Sequence, residues 1–320
     1  MHKVIFDTDP GIDDAMALLF LHQHPDIDLV GITTVFGNGT IDTTTRNALF
    51  LKDVWNIDAP VARGAGAPLN PLRTYGAPPA IVHGDNALGN IALPDEIPGT
   101  VDPRPAHRFI IETVRADPGG VTLIAVGRMT NLALALREAP DIAGLVKQVI
   151  IMGGAFTVPG NVSPVAEANI LGDPEAADMV VTAPWKTIVV GLDVTMKTIM
   201  STSTLERLAA QGGPRARLLS DISQHYIGFY SRFVDDGMVI HDSCACAFLV
   251  APHLFETRSG AMRVVSEGIA DGQTIQKPDG RFFPPGAWDG KPSQLACVDI
   301  DADAVLRLIG DTIVAEPASA

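Results

Sequence analysis

The stretch that most narrows what this chain can fold into is its beginning. Residues 3–20 read Lys3-Val4-Ile5-Phe6-Asp7-Thr8-Asp9-Pro10-Gly11-Ile12-Asp13-Asp14-Ala15-Met16-Ala17-Leu18-Leu19-Phe20, placing four carboxylates within eight residues between two apolar runs. The run from Val4 to Phe6 has the β-branched and aromatic content of a buried strand, residues 14–21 repeat apolar positions at helical spacing, and Pro10-Gly11 marks the turn between them. A strand, a tight turn and a helix deliver side chains to the carboxyl edge of a sheet, where open α/β folds bind ligands. The strand's period of two puts Asp7 and Asp9 on one side, and Asp13 and Asp14 fall at the helix N-terminus. One or two acids there can be caps and dipole partners, but four cannot all be caps. Four such groups repel one another unless positive charge sits among them, and an all-oxygen set suits a hard cation such as calcium or magnesium. The plainer alternative is a solvated acidic turn. An EF-hand is excluded, because counting from Asp7 puts Ile12 and Leu18 where that loop needs Gly and Glu.

Further strand-like runs follow at residues 28–35, 121–126, 146–152, 187–192 and 263–265, separated by helical runs at 43–55, 105–116 and 131–138. Asp173-Pro174-Glu175 reads as a helix start, with Asp as cap and Pro at the first position. This alternation predicts a single α/β domain over residues 1–315, an open, mainly parallel, Rossmann-like central sheet flanked by helices, with 316–320 as a frayed tail. No fixed-period repeat or low-complexity linker divides the 320 residues. Two stretches rich in Gly and Pro, 63–98 and 270–292, read as long loops over a site.

Hydrophobic residues make up 47% and charged residues 19%, the balance of a chain with a sizeable core. The formal charge of −14 carries no basic cluster, which argues against nucleic-acid and anionic-membrane partners and favours a neutral or cationic small substrate. No apolar run reaches spanning length and no leader pattern opens the chain, so the expected location is cytoplasmic. Cys244, Cys246 and Cys297 are too few for a Cys-built zinc site and odd in number, and they read as small buried residues without a disulfide.

Polar residues stand just after several of these strands. Gly37-Asn38 follows the second, and Gly153-Gly154 follows the run ending at Met152, with Asn161, Glu167 and Asn169 beyond. An Asn, Glu, Asn set without basic charge suits sugar hydroxyls more than phosphate, although Asn side chains also hold loops of their own. His241-Asp242 stands at another strand-to-helix junction, where Asp242 can join the acids and His241 can donate a proton. A capping Asp beside a hydrogen-bonded His is the commoner meaning of such a pair. His83 lies in the first flexible stretch, where an exposed His decides little.

Taken together, residues 7–15, Gly37-Asn38, residues 127–131, Met152-Gly153-Gly154, residues 161–169 and His241-Asp242 resemble the nucleoside hydrolases, the inosine-uridine-preferring family of calcium-dependent N-ribohydrolases. The blocks follow that family's order through most of the chain. The resemblance implies a ribonucleoside substrate, a calcium-bound water as nucleophile, and a homodimer or homotetramer. It makes Asp9, Asp14 and Asp242 side-chain calcium ligands, with the Val126 carbonyl as a main-chain ligand at a position where the family often has Thr. It places Asp13, Asn38 and Asn169 near the ribose 2′-hydroxyl, Asn169 and Asp242 near the 3′-hydroxyl, and Asn161 and Glu167 near the 5′-hydroxyl, with Met152 lining the pocket and Asp7 supporting the loop. Asp9 is then the catalytic base, and His241 the proton donor to the leaving base, with His83 a second candidate beside it. His225, Tyr226, Phe229 and Tyr230 are the candidates for contacting the base, and purine or pyrimidine preference stays open. Ser243 and Cys244 stand where many relatives have Pro.

Two other readings use the same residues. Phe6-Asp7-Thr8-Asp9 also fits a magnesium-dependent haloacid-dehalogenase-like phosphatase with Asp7 as nucleophile, but no Lys stands convincingly placed for its phosphate. A non-catalytic ribose or nucleoside binder would keep the same acids and hydroxyl contacts.

Overall fold

Val4, Ile5 and Phe6 are fully buried, as befits a strand covered on both faces. They lie at the middle of the sheet. In the computed structural model, which describes residues 1–74 and 76–315, the strands are β1 (His2–Thr8), β2 (Ile27–Thr34), β3 (Val61–Arg63), β4 (Val121–Ala125), β5 (Gln148–Met152), β6 (Thr187–Val190), β7 (Ile199–Met200), β8 (Met238–Val239), β9 (Phe255–Val264), β10 (Thr274–Pro278) and β11 (Ser293–Ile300). Nine of them form one sheet in the order β10-β9-β11-β6-β5-β4-β1-β2-β3, parallel from β3 to β11 and antiparallel where β9 meets β11 and β10. β7 and β8 pair separately.

Alternate residues of the central strands feed two cores. Val4, Phe6, Ile124 and Ile150 join one apolar cluster, and Ile5, Leu123, Val149 and Ile151 join the other. Helices Ile12–Gln23, Ile41–Trp55, Gly213–Tyr230, Asp242–Val250 and Ala302–Val314 cover the first face, and Ala106–Ala116, Thr130–Glu138 and Pro174–Thr182 cover the second. The succession β3-β2-β1-β4-β5-β6 reverses direction between β1 and β4. A switch of this kind opens a crevice at the carboxyl ends of those two strands, where such sheets bind ligands. Asp9 to Asp14 follow β1, and Val126-Gly127 follow β4, so the acidic stretch stands at that crevice.

The α/β class, the parallel sheet and the central strands agree with the sequence reading. The expected run over 146–152 starts as a strand at Gln148, and the one over 187–192 stops at Val190, with a short helix Leu192–Thr195 beginning two residues later. Asp173 caps its helix as expected, accepting from the Ala176 amide at 3.2 Å. The edge differs more. β9 is a ten-residue strand where only 263–265 read as one, and β10 lies inside the stretch taken as loop. These edge strands are partly exposed, so their apolar runs are broken by polar residues. The 63–98 stretch is mostly irregular, with a single helical turn at Ala80–His83, and Arg73 anchors it through ion pairs to Glu175 and Asp271. All three cysteines are free and buried. No helix among the described residues is long and apolar enough to cross a membrane. The tail expected at 316–320 lies outside the described residues.

Candidate active site

Asp14 has two duties. One oxygen accepts from the Gly11 amide at 2.9 Å, which caps helix Ile12–Gln23, and from Asn38 Nδ2 at 2.9 Å, while the other takes the Thr8 hydroxyl. Asp9 lies past the last residue of β1, where the strand's period of two no longer sets its direction. Its Oδ2 accepts from the Asn38 amide at 2.8 Å, and its buried Oδ1 has no hydrogen-bond partner among the described residues. Gly37 and Gly127 close around this carboxylate, since a Cβ at Gly37 would stand 1.8 Å from Oδ2 and one at Gly127 2.5 Å from Oδ1. Asp7 is separate from this group. Its Oδ1 takes the Thr33 hydroxyl and Asn131 Nδ2, which ties β1 to β2 and to the first turn of helix Thr130–Glu138.

Asp13, Asp14 and Asp242 bring one carboxylate oxygen each within 4.8 Å of one another, all three residues being buried. Asp9 stands outside this trio. Burial, then the repulsion of Asp14, pushes Asp13 up to about 8, and burial with the neighbouring acids drives Asp9 and Asp242 well above the ordinary carboxylate range. Burial also raises Asp14, against the bonds from Thr8, Gly11 and Asn38. Arg128, its guanidinium 4.4 Å from the centre of the Phe36 ring, counteracts the rise at Asp9 and at Glu167 without reversing it. Acids so placed ionise together only around further positive charge.

Above this floor opens a cavity of about 610 Å³. Asp13, Asn38, Val126, Met152, Asn161, Glu167, Asn169, His83, His241 and Asp242 all line it, whereas Asp9 and Asp14 lie behind its wall. Glu167 caps a short helix, receiving the Asn169, Ile170 and Gly154 amides at 2.9, 3.2 and 3.0 Å. Asn169 Nδ2 donates to the Val126 carbonyl at 2.6 Å, and exposed Asn161 accepts the Ala168 amide at 3.1 Å. The lining therefore holds polar side chains together with an aromatic wall of Tyr226, Phe229 and Tyr230 on helix Gly213–Tyr230 and Phe233 beyond it, and the Tyr226 hydroxyl donates to Asp13 Oδ2 at 3.3 Å. His225 is not on this wall, and its Nε2 meets the Ala80 carbonyl at 3.2 Å.

Both cavity histidines are buried and neutral at neutral pH. Burial lowers His241 to about 4, and burial followed by the neighbouring His241 lowers His83 to about 3. His83 Nδ1 accepts the Ile12 amide at 3.2 Å, which leaves the ring proton on Nε2, and the ring stacks on Tyr226 at 5.3 Å. His241 is held at both nitrogens, Nε2 lying 2.7 Å from the Tyr230 hydroxyl and Nδ1 2.8 Å from Thr195 Oγ1.

A cluster of carboxylates beneath a pocket that joins hydroxyl-binding side chains to an aromatic wall is suited to holding a sugar joined to a flat ring. The family model of the inosine-uridine preferring nucleoside hydrolases matches residues 4–307. This chain belongs to that family. As a nucleoside hydrolase it is an N-glycosidase acting on ribonucleosides. It is 39% identical over 316 residues to the probable uridine nucleosidase 2 of Arabidopsis thaliana, covering 98% of this chain and 97% of that one. It is 36% identical to the inosine-uridine preferring nucleoside hydrolase of Leishmania major, covering 85% and 87%. The solved structure of a plant nucleoside hydrolase superposes with a TM-score of 0.92 at 36% identity, covering 98% and 99%.

This nucleoside hydrolase has no use for the phosphatase reading, whose nucleophile Asp7 is 1% exposed and absent from the cavity wall. The sequence reading overlooked Phe233, Met196, Arg128 and Thr195. Phe233 continues the helical spacing of Tyr226, Phe229 and Tyr230 past the end of their helix, and Met196 is an apolar residue in a turn with no periodic signal. Asp193 and Thr195 follow β6 as Asn38 follows β2, so the rule applied to the other strands points to them once β6 is ended at Val190.

Proposed function

We propose that this nucleoside hydrolase holds calcium on its acidic floor and cleaves both purine and pyrimidine ribonucleosides. The observation that carries this reading is the buried oxygen-only cluster of Asp13, Asp14 and Asp242 with the unpartnered Asp9 Oδ1 beside it. Asp9, Asp14 and Asp242, with the Val126 carbonyl, would hold the ion, and Asp13 would face the sugar. Bound calcium supplies a hard divalent centre that orients a water and lowers its pKa, less strongly than zinc does.

The remaining steps belong to the chain itself. Asp9 takes the proton of the attacking water on Oδ1, the oxygen with no other partner. Asp13, Asn38 and Asn169 hold the 2′ side of the ribose, Asn169 and Asp242 the 3′ side, and Glu167 and Asn161 the 5′-hydroxyl. As the C–N bond breaks, positive charge grows on the sugar, and the buried acids below stabilise it electrostatically. His241, a neutral imidazole at rest, donates a hydrogen bond and then its ring proton to the departing base, and the proton that Asp9 took from the water returns to the ring through solvent before the next turnover. The aromatic wall reads bases by stacking on Tyr226, Phe229, Tyr230 and Phe233. Relatives named for uridine and for inosine with uridine are in keeping with such breadth.

The reaction is tested by following free base and ribose from inosine and uridine with the purified protein, and binding of both without release would contradict it. His241→Ala is expected to lower kcat/KM for inosine by about 100-fold and for uridine by less than about tenfold, because general acid catalysis is worth that order of effect and matters more for a purine leaving group. Equal losses on both nucleosides would remove His241 from the leaving-group role.

A further inference from the structure

We infer that Thr195 is a positioning residue that fixes His241 as the tautomer with its proton on Nε2, the nitrogen on the side of the cavity-lining Tyr230. The inference rests on the reading of His241 as the leaving-group donor. Thr195 ends the short helix Leu192–Thr195 at the carboxyl end of β6 and is fully buried. Its backbone is fixed on both sides, the amide donating to the Gly191 carbonyl at 3.1 Å and its own carbonyl accepting from the Thr198 hydroxyl at 2.6 Å. Asp193 clamps the same turn by accepting the Phe156 and Thr157 amides at 2.8 Å each. The hydroxyl therefore sits on a rigid element.

Among the described residues, Thr195 Oγ1 makes one side-chain hydrogen bond, 2.8 Å to His241 Nδ1. A threonine hydroxyl can donate or accept, and the two choices give opposite tautomers. If Oγ1 accepted a proton from Nδ1, its own hydrogen would be buried without an acceptor, the arrangement buried hydroxyls avoid. If Oγ1 donates, its hydrogen is satisfied by Nδ1 and the ring's proton must stand on Nε2. There it points at the Tyr230 hydroxyl, 2.7 Å away, on the cavity wall. A departing base that displaces Tyr230 as acceptor receives this proton, and the ring, its Nδ1 still held by the Thr195 hydroxyl, is reprotonated on Nε2 through solvent with the proton Asp9 took from the water. The opposite tautomer turns a lone pair toward the base and has nothing to give.

Three variants and two substrates test the inference. Inosine needs its base protonated on departure, whereas a 4-nitrophenyl riboside carries a leaving group acidic enough to depart as the anion. Thr195→Val is expected to lower kcat for inosine by about 30-fold, inside the range of general acid catalysis, and to change hydrolysis of the nitrophenyl riboside by less than about threefold. Thr195→Ser, which restores the hydroxyl, is expected to recover inosine turnover to within about fivefold of the parent. Nitrogen-15 spectra of the calcium-loaded protein should show His241 with its proton on Nε2, and a mixture of tautomers in Thr195→Val. Equal losses on both substrates, or a His241 carrying its proton on Nδ1 in the parent, would overturn the role. His241→Ala separates the two levels. If it also fails to distinguish inosine from the nitrophenyl riboside, the leaving-group reading of His241 falls and takes this inference with it. If it does distinguish them and Thr195→Val does not, only the inference about Thr195 falls.

Discussion

Asp9→Ala is expected to reduce kcat on both inosine and uridine by about 1,000-fold or more, because one substitution removes the general base and a carboxylate beside the cation. The fold should survive. Gly37 and Gly127 already leave this carboxylate no room to spare, and an alanine side chain is smaller than the group it replaces. Calcium-free protein should become more stable at pH 7. Burial holds Asp9 well above the ordinary carboxylate range in the folded chain, so the folded state binds this proton more tightly than the unfolded one. A group of that kind withdraws stability as the pH rises above its unfolded value near 3.8, and its removal gives that stability back. Melting curves with and without calcium check both halves: a raised Tm without the ion, and a smaller gain on adding it. An Asp9→Ala protein with more than about a tenth of the parent's turnover would end the assignment of Asp9 as base.

Gly37→Ala should be nearly as damaging although it removes no functional group. The added methyl would stand 1.8 Å from Asp9 Oδ2 and 2.7 Å from its Cγ, so the carboxylate must move and its bond from the Asn38 amide is lost. Displacing a catalytic group by about 1 Å costs on the order of 100-fold in rate, and a loss of that size in kcat/KM is expected with weakened calcium binding. Gly37 does not have a positive φ, so the alanine backbone itself is not strained. Gly144→Ala, where nothing lies within 4 Å of the new methyl, provides the neutral comparison. Unchanged activity in Gly37→Ala would show that the Asp9 carboxylate can move without consequence.

The parts of this site that were legible in the sequence share one property: their chemistry is crowded into a few consecutive residues. The Asp7–Asp14 stretch showed an acidic cluster able to hold a cation by charge density alone, and His241-Asp242 showed a junction by following a short apolar run. What spacing could not decide was which acids converge. Asp13, Asp14 and Asp242 form the tightest group, while Asp9 stands apart from it, because the chain turns at Pro10-Gly11 and strand periodicity ends at Thr8. On the aromatic wall, Tyr226, Phe229, Tyr230 and Phe233 follow the i, i+3, i+4, i+7 spacing of one helical stripe, and His225 falls beside it. That stripe becomes readable only when the helix is known to run through Gly213–Tyr230. Thr195 is legible as a polar position just after β6 but not in its role, which comes from a single hydrogen bond to a residue 46 positions away that no local pattern encodes. Most of β9 and all of the edge strand β10 were missed because half-exposed strands carry too few consecutive apolar residues to stand out from loop.

The account turns on a cation among these acids, and one measurement tests that most directly. Reducing-sugar release is followed from inosine, adenosine, guanosine, uridine and cytidine with calcium present, after exhaustive chelation, and after calcium is restored. Release that vanishes on chelation and returns with calcium, from at least one purine and one pyrimidine nucleoside, is the predicted result. Release that continues undiminished after chelation would contradict the metal-holding role of the acidic floor, and no release from any of the five would contradict the proposed substrates.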